Sequence, residues 1–254
     1  MLPILLLSLV GCGNKSGDDT SSSNDGGTGD TGAMTCDPVD PPCSDALIAD
    51  LGLQRDVVSD GAVTTVTDGD DFVTTIDASA GGMNQAPSNP WVYVRFTAAG
   101  AEKLKIDDWS SLADTTWDLG LRRYLVRTNG GDSGPGCVGA VALREDQYAD
   151  ITAVPAGLDV STDFPSDDFY TDDCSFIGDS SGLADSPNLV LGQWWSYPGC
   201  VATSMIPFLL RTEEGHVIKL VIEQYYAVDQ DVCNETGAPG TDSGIIQIRW
   251  RMLQ

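Results

Sequence analysis

Short apolar runs separated by turn residues dominate the chain from about residue 60 onward. Residues 62–67 and 72–76 are rich in β-branched side chains and are joined by Asp-Gly-Asp-Asp, which predicts a β-hairpin. Residues 91–96, Trp-Val-Tyr-Val-Arg-Phe, are typical of a largely buried strand. Similar patterns predict strands over residues 138–143, 205–210, 216–226 and 244–253, with a tight turn at residues 213–215.

Residues 117–127 form a longer alternating segment, which predicts one continuous strand. Four larger apolar side chains fall on the same face of that strand: Trp117, Leu119, Leu121 and Leu125. Only residues 46–53, and more weakly residues 98–105, have a pattern compatible with a helix. Because strands and helices do not alternate regularly, the sequence predicts an all-β fold with a single antiparallel β domain.

The N-terminal segment has the composition of a targeting sequence. Residues 2–10 are apolar but too few to span a bilayer, and residues 9–12, Leu-Val-Gly-Cys, resemble a bacterial lipobox, although no Lys or Arg precedes them. Ordinary signal-peptide cleavage is the alternative. Residues 13–33 are almost entirely Gly, Ser, Thr, Asp and Asn. Such a segment buries too little apolar surface to fold, so it predicts a disordered tether.

These features predict three parts in the chain. They are a lipoprotein signal peptide over residues 1–11, a lipidated Cys12 with its tether over residues 12–35, and an all-β domain over residues 36–254. Two or more acyl chains on Cys12 would give the stable anchoring that one chain cannot. Gly13 after the cysteine is similar to the sorting signal of outer-membrane lipoproteins, which implies a location at the cell surface or the periplasmic face.

The charge of the chain excludes some partners. Thirteen Lys and Arg residues oppose 38 Asp and Glu residues, for a formal net charge of −25. Such a protein repels nucleic acids and anionic membrane surfaces, so we expect no nucleic-acid partner and membrane contact only through the lipid anchor. A single histidine, His216, excludes metal sites that need several histidine ligands.

Cysteine usage predicts disulfides. With Cys12 lipidated, an even number remains, which in an exported chain indicates three bridges among Cys36, Cys43, Cys137, Cys174, Cys200 and Cys233. The spacing leaves most pairings open. Cys36 and Cys43 enclose a short Pro-rich loop and are the easiest pair to close. The chain has no C-x-x-C motif, so nothing in the sequence indicates a zinc ribbon or thioredoxin chemistry.

Residues 145–210 contain eleven acidic residues and no Lys or Arg, together with several aromatic residues. Long loops of this kind are often binding surfaces. One interpretation is a Ca²⁺ site with oxygen ligands from Asp167, Asp168, Asp172, Asp173 and Asp179. A second is a surface for a protein partner, with Trp194, Trp195 and Tyr197 as aromatic anchors. The two tryptophans could instead be core residues, and the loop a solvated acidic surface.

The most specific motif of the chain lies within residues 117–136. These residues read W-D-x-x-x-x-R-Y-x-x-R-x-N-x-G-x-S-G-x-G. The pattern resembles that of the HmuY family of bacterial surface lipoproteins, whose namesake is a haem-binding, hemophore-like protein. The resemblance extends over residues 89–253, with a poorly matched middle, and implies an all-β binding domain. Within the motif, we expect Arg123 or Arg127 to pair with Asp118 or another acid.

No catalytic constellation is predicted. Residues 131–134, Gly-Asp-Ser-Gly, are similar to the nucleophile loop of trypsin-like proteases. The only histidine, His216, follows this serine, whereas that family needs its histidine well before it. We therefore interpret the segment as a Gly-rich turn and the protein as non-enzymatic.

The resemblance also implies where a haem would bind. In the family's namesake two histidines in loops of the middle region hold the iron, and relatives use methionine. The corresponding loops here, residues 164–186 and 192–199, contain neither. His216 lies outside these loops at the tip of a hairpin, and Met205 falls on a predicted strand, as a core residue.

Tyrosinate is the remaining iron ligand type in these loops, so Tyr197, with Tyr170 as second choice, would hold ferric haem. Trp194 or Trp195 would pack on the porphyrin, and a bridge between Cys174 and Cys200 would join the two loops. The acidic loops would repel the haem propionates. We therefore expect the scaffold to be retained and the namesake's iron ligands to be lost.

Overall fold

The computed structural model describes residues 37–183 and 185–253. The regular elements in chain order are α1 (Ser44–Asp50), β1 (Val63–Asp68), β2 (Asp71–Asp77), β3 (Val92–Thr97), β4 (Gly100–Leu104), β5 (Leu119–Arg122), β6 (Leu125–Thr128), β7 (Gly139–Ala142), β8 (Trp195–Ser196), β9 (Ala202–Thr203), β10 (Phe208–Arg211), β11 (Val217–Val228), α2 (Gln230–Thr236) and β12 (Thr241–Met252). Short 3₁₀ turns lie at Ala86–Ser88, Ser110–Leu112, Tyr148–Asp150 and Gly192–Trp194.

Two antiparallel sheets form the body of the domain and confirm the all-β prediction. The larger has the strand order β1-β2-β12-β11-β10-β7, and the smaller has the order β4-β3-β5-β6. Apolar side chains from both sheets pack into one core, where Phe96 of β3 meets Trp250 of β12 edge-to-face at 4.8 Å between ring centroids. A two-stranded ribbon, β8-β9, lies outside these sheets.

The hairpin predicted over residues 62–76 is confirmed as β1-β2, with Gly69 at positive φ in its turn. The tight turn at residues 213–215 is confirmed between β10 and β11. The single strand predicted over residues 117–127 is wrong, because the chain reverses between β5 and β6. Arg123 adopts φ +55° there, and its N–H donates to the Ala78 carbonyl at 2.7 Å. Apolar and polar residues alternate on both sides of this reversal, so the sequence pattern does not reveal it.

Of three further local predictions, one is confirmed and two are wrong. The helix expected near residues 46–53 is confirmed as α1, although it begins and ends earlier. Residues 98–105 contain strand β4 instead of a helix, because Gly100–Leu104 pairs with β3 at the edge of the smaller sheet. Met205 is 49% exposed at positive φ and precedes β10, so its assignment to a core strand is wrong.

The disulfides differ from the expected pairs. Cys43 is bonded to Cys174 and Cys200 to Cys233, so the predicted pairs Cys36–Cys43 and Cys174–Cys200 are both wrong. The chain-closure argument favoured near neighbours, but the loop after residue 164 folds back over α1 and brings Cys174 to Cys43. Cys137 is also disulfide-bonded.

The signal-peptide, lipidation and tether predictions, together with Cys36, lie outside the described residues. Among the residues that are described, no helix has the length and apolarity needed to cross a membrane.

Candidate ligand-binding groove

The Trp-Asp…Arg-Tyr motif builds a buried polar network beneath the smaller sheet. Arg127 is fully buried and lies against the rings of Trp91, Tyr93 and Trp117. Its guanidinium donates to the Tyr93 hydroxyl, which donates in turn to Asp108 at 3.1 Å. The tyrosine therefore links a buried cation to a buried carboxylate, which offsets part of the cost of removing both from water.

Asp118 pairs with neither Arg123 nor Arg127, and the acid that Arg127 reaches, through Tyr93, is Asp108. The Asp118 carboxylate accepts backbone N–H groups of Phe96 at 2.7 Å and Glu213 at 2.8 Å. Asp118 thereby joins the two sheets through backbone donors, whose positions do not depend on side-chain identity.

Two other aspartates hold the loop that follows residue 164. Asp132, in the Gly-Asp-Ser-Gly turn, accepts the N–H groups of Phe169 at 2.6 Å and Tyr170 at 2.8 Å. Asp167 accepts those of Thr128 at 2.8 Å and Val190 at 2.9 Å, so it joins both ends of the loop to β6. The Gly-Asp-Ser-Gly turn therefore has a structural role, because it holds the loop that follows residue 164 in place.

The five aspartates considered for Ca²⁺ do not converge. Within residues 37–183 and 185–253, no group of three or more His, Cys, Asp or Glu side chains is arranged to hold a metal ion. Asp167 is buried with its backbone donors, Asp173 accepts from Thr171, and Asp179 accepts from the hydroxyls of Ser181 and Ser186. These three carboxylates hydrogen-bond to groups of the protein itself.

Two buried carboxyl groups make the stability of the fold depend on pH. Burial raises the pKa of Asp118 to about 7 and that of Asp167 to about 6. An aspartate in an unfolded chain has a pKa of about 3.9. Between these values the folded protein keeps protons that the unfolded chain has lost. The stabilisation that these two groups provide is therefore greatest at acid pH and falls as the pH rises toward 7.

We expect the free energy of unfolding in urea to be about 2 to 4 kcal/mol lower at pH 8 than at pH 5, because each pKa unit is worth about 1.4 kcal/mol. The Asp118→Asn variant removes one titration and should show a smaller difference between the two pH values. Asp168→Asn removes an exposed carboxyl group and is the matched control. A wild-type stability that is equal at both pH values contradicts this assignment.

A groove of about 1050 Å³ opens beside the β5–β6 turn. Its lining comes from segments that are distant in the chain: residues 49–52 at the end of α1; Met83, Ala86 and Pro87 before β3; residues 122–125 of the turn; Phe176, Leu183 and Asp185 of the acidic loop; Tyr197, Gly199 and Val201 around the β8–β9 ribbon; and Tyr225, Tyr226, Pro239, Gly240 and Ser243. Aromatic side chains are therefore contributed by the acidic loop, the turn, the ribbon and β11.

The sequence-predicted site residues are distributed unevenly around this groove. Tyr197 lines it and is 47% exposed. Tyr170 does not line it, and its hydroxyl donates to Asp50 at 2.9 Å. Burial and this carboxylate raise the Tyr170 pKa, which disfavours tyrosinate.

Trp194 and Trp195 belong to the core, so neither is available to pack on a ligand or to anchor a partner. The Trp194 indole donates to the Tyr124 carbonyl, and the Trp195 ring packs against the Tyr124 ring at 4.8 Å. The tryptophans therefore position Tyr124, which is one of the aromatic residues that line the groove.

Two arginines supply the positive charge that the acidic loops lack. Arg122 and Arg123 line the groove and are 7% and 8% exposed. Arg122 lies over the ring of Trp91, and Arg123 lies over the ring of Tyr225. Burial lowers the pKa of Arg122 to about 10, so it remains charged at neutral pH. The expected repulsion of an anionic ligand considered only the loops and overlooked the β5–β6 turn.

A large part of the chain matches a known protein family. The sequence profile of the HmuY protein family matches residues 88–239, more than half of the chain. The chain belongs to the HmuY family. No curated protein sequence matches it.

Three solved structures are similar to this chain. A candidate lipoprotein of Bacteroides fragilis NCTC 9343 is 18% identical with a TM-score of 0.44, covering 77% of this chain and 97% of its own. A candidate HmuY-like haem-binding protein of Bacteroides vulgatus ATCC 8482 is 16% identical with a TM-score of 0.42, covering 72% and 93%. The apo HmuY analogue of Tannerella forsythia is 15% identical with a TM-score of 0.39, covering 78% and 100%.

Sequence reasoning missed several residues that line the groove of this HmuY protein: Met83, Arg122, Tyr124, Tyr225 and Tyr226. One signal was present in the motif. Residues 122–124 read Arg-Arg-Tyr, so two adjacent cations stand beside an aromatic residue in a chain of net charge −25. Met83 gave no such signal, because it lies between predicted strands and outside the motif.

Proposed function

We propose that this protein is a non-enzymatic surface lipoprotein that binds haem or a related porphyrin in the groove beside the β5–β6 turn. The observation that supports the proposal most is the groove itself, which combines a volume of about 1050 Å³ with several aromatic side chains. Concave sites with apolar walls and a few polar groups are the usual form of small-molecule sites. Family membership, shown by the match over residues 88–239, favours haem as the ligand class.

The donor atoms around the groove fit an iron porphyrin. Tyr197 offers a phenol, and Met83, which is 76% exposed, offers a thioether. Tyrosine and methionine both serve as axial ligands of haem iron in proteins. His216 lies on the β10–β11 hairpin and does not line the groove, so histidine has no part in this proposal. A bound haem would supply a Lewis-acidic iron, and Tyr197 is the residue that we propose to hold its ferric form.

A titration of the soluble domain with ferric haem tests the proposal. We expect a saturable shift of the Soret band, and we expect Tyr197→Phe to change that spectrum because the phenolate ligand is lost. Tyr148→Phe, which alters a tyrosine that packs against Lys219 outside the groove, is the matched control. Absence of a saturable shift in the wild type refutes haem binding. Identical spectra for wild type and Tyr197→Phe refute the ligand assignment alone.

We also propose that Cys12 carries the lipid anchor and that the protein is sorted to the outer membrane. The lipobox-like residues 9–12 and the polar segment that follows them support this. The full chain should then fractionate with outer membranes and show acyl chains on Cys12 by intact-mass analysis. Cys12→Ser should move the protein to the soluble fraction. A Cys12→Ser protein that stays with the membrane would contradict anchoring through Cys12.

A further inference from the structure

Arg122 and Arg123 have guanidinium N–H groups that donate no hydrogen bond within the described residues. Arg122 donates to the carbonyls of Leu51, Gly52 and Asn89. Arg123 donates to the carbonyls of Ser79 and Ser243 and to the Ser243 hydroxyl. A guanidinium has five N–H groups. Each arginine therefore keeps two that find no acceptor among the described residues.

The charges of these two arginines are also uncompensated at close range. Within residues 37–183 and 185–253, no carboxylate oxygen lies within 4.0 Å of either guanidinium, although the chain has 38 acidic residues. By contrast, Arg249 pairs with Asp68 and Glu223. Asp108 stabilises the charge of Arg122 from beyond 4.0 Å, and the neighbouring Arg127 opposes it. A buried cation without a counter-charge in contact is costly. An anionic ligand that reached both guanidinium groups would supply the counter-charge in contact that each of them lacks.

We propose that Arg122 and Arg123 together form a receptor for carboxylates, so that the groove selects an apolar ligand with two acidic groups over its neutral analogue. Planar guanidinium groups match carboxylates with paired hydrogen bonds, which makes arginine better suited to this role than lysine. The inference rests on the proposed function, since a porphyrin of the haem type carries two propionates.

The other charged residues of the groove favour one orientation of a bound dicarboxylate. Asp50 and Asp185 also line the groove, and Asp50 accepts the Tyr170 hydroxyl. Like charges repel, so a dicarboxylate would place its acidic edge at the β5–β6 turn and its apolar body among the aromatic side chains. The two arginines would thus set ligand orientation as well as ligand class.

The test compares protoporphyrin IX with its dimethyl ester, both free of iron, on the intact wild-type domain. Binding is followed by porphyrin fluorescence and by quenching of tryptophan fluorescence. We expect the free acid to bind at least tenfold more tightly than the ester, with a preference that shrinks at high salt. Equal affinity for acid and ester overturns the carboxylate receptor while the proposed function stands. Failure of both porphyrins to bind overturns the porphyrin site and the receptor together.

Two variants with the same change in net charge test whether Arg123 is responsible for the preference for the free acid. Arg123→Met removes one guanidinium and should reduce the acid-over-ester preference about tenfold while leaving the affinity for the ester nearly unchanged. Arg95→Gln changes the net charge equally but lies outside the groove, on an exposed pair with Glu102, and should change neither affinity. An equal loss of preference in both variants overturns the assignment to Arg123. Circular dichroism confirms that each variant is folded.

Discussion

Replacing Arg127 with methionine is expected to lower the free energy of unfolding by about 3 to 5 kcal/mol. Arg127 is fully buried and donates to the Tyr93 hydroxyl, to the Ser111 hydroxyl at 3.0 Å and to the Ser133 carbonyl at 3.0 Å. Methionine fills much of the same volume but donates no hydrogen bond. The substitution therefore leaves buried acceptors unsatisfied and removes the charge that offsets Asp108.

Urea denaturation followed by tryptophan fluorescence measures this loss, since Trp91 and Trp117 contact the guanidinium. Arg127→Lys keeps the charge but cannot form the three bonds together, so we expect an intermediate loss. Arg95→Gln, at an exposed ion pair, should cost less than about 1 kcal/mol. A loss below about 1 kcal/mol for Arg127→Met would show that the network contributes little.

Removing the Cys43–Cys174 disulfide is the second large expected effect. The bridge spans 131 residues, and the chain-entropy relation assigns about 5 kcal/mol to a loop of that length. The Cys200–Cys233 bridge spans 33 residues, for which the same relation gives about 3.7 kcal/mol. Other crosslinks shorten the effective loop, so the first value is an upper bound.

We expect the Cys43→Ser, Cys174→Ser protein to lose more stability in urea than the Cys200→Ser, Cys233→Ser protein, with both measured under oxidising conditions. The reverse order would contradict the loop-length argument and would mean that local packing around α2 outweighs chain entropy. Peptide mapping without reductant checks the pairing itself. A peptide that joins Cys36 to Cys43 would show the pairing described here to be incorrect.

Local sequence patterns predicted much of the fold because each strand of the larger sheet carries its own apolar signal. The β1-β2 hairpin and the β10-β11 turn were both readable from β-branched runs and turn residues. The β5-β6 reversal was not readable, because an arginine at positive φ replaces the expected glycine and the apolar alternation continues across it. Strand β4 was hidden by its edge position, where little apolar surface is needed.

The groove could not be predicted in the same way, because its residues come together only through tertiary structure. Met83, Arg122 and Tyr225 are far apart in sequence and share no spacing rule. Trp194 and Trp195 looked like surface anchors because they lie in an acidic loop, yet both are buried. Aromatic residues in a polar segment therefore did not reveal which of them face solvent.

The attachment of the loop over residues 164–191 has a consequence for how such a domain can change its ligand. Asp132 accepts the backbone N–H groups of Phe169 and Tyr170, and Asp167 accepts those of Thr128 and Val190. Every residue type except proline carries that donor. The exposed side chains of the loop can therefore change while its attachment is kept, provided that Asp167, Cys174 and the buried Phe169 remain. New binding specificities could therefore be selected at the exposed positions of this loop without changing the two sheets that hold it.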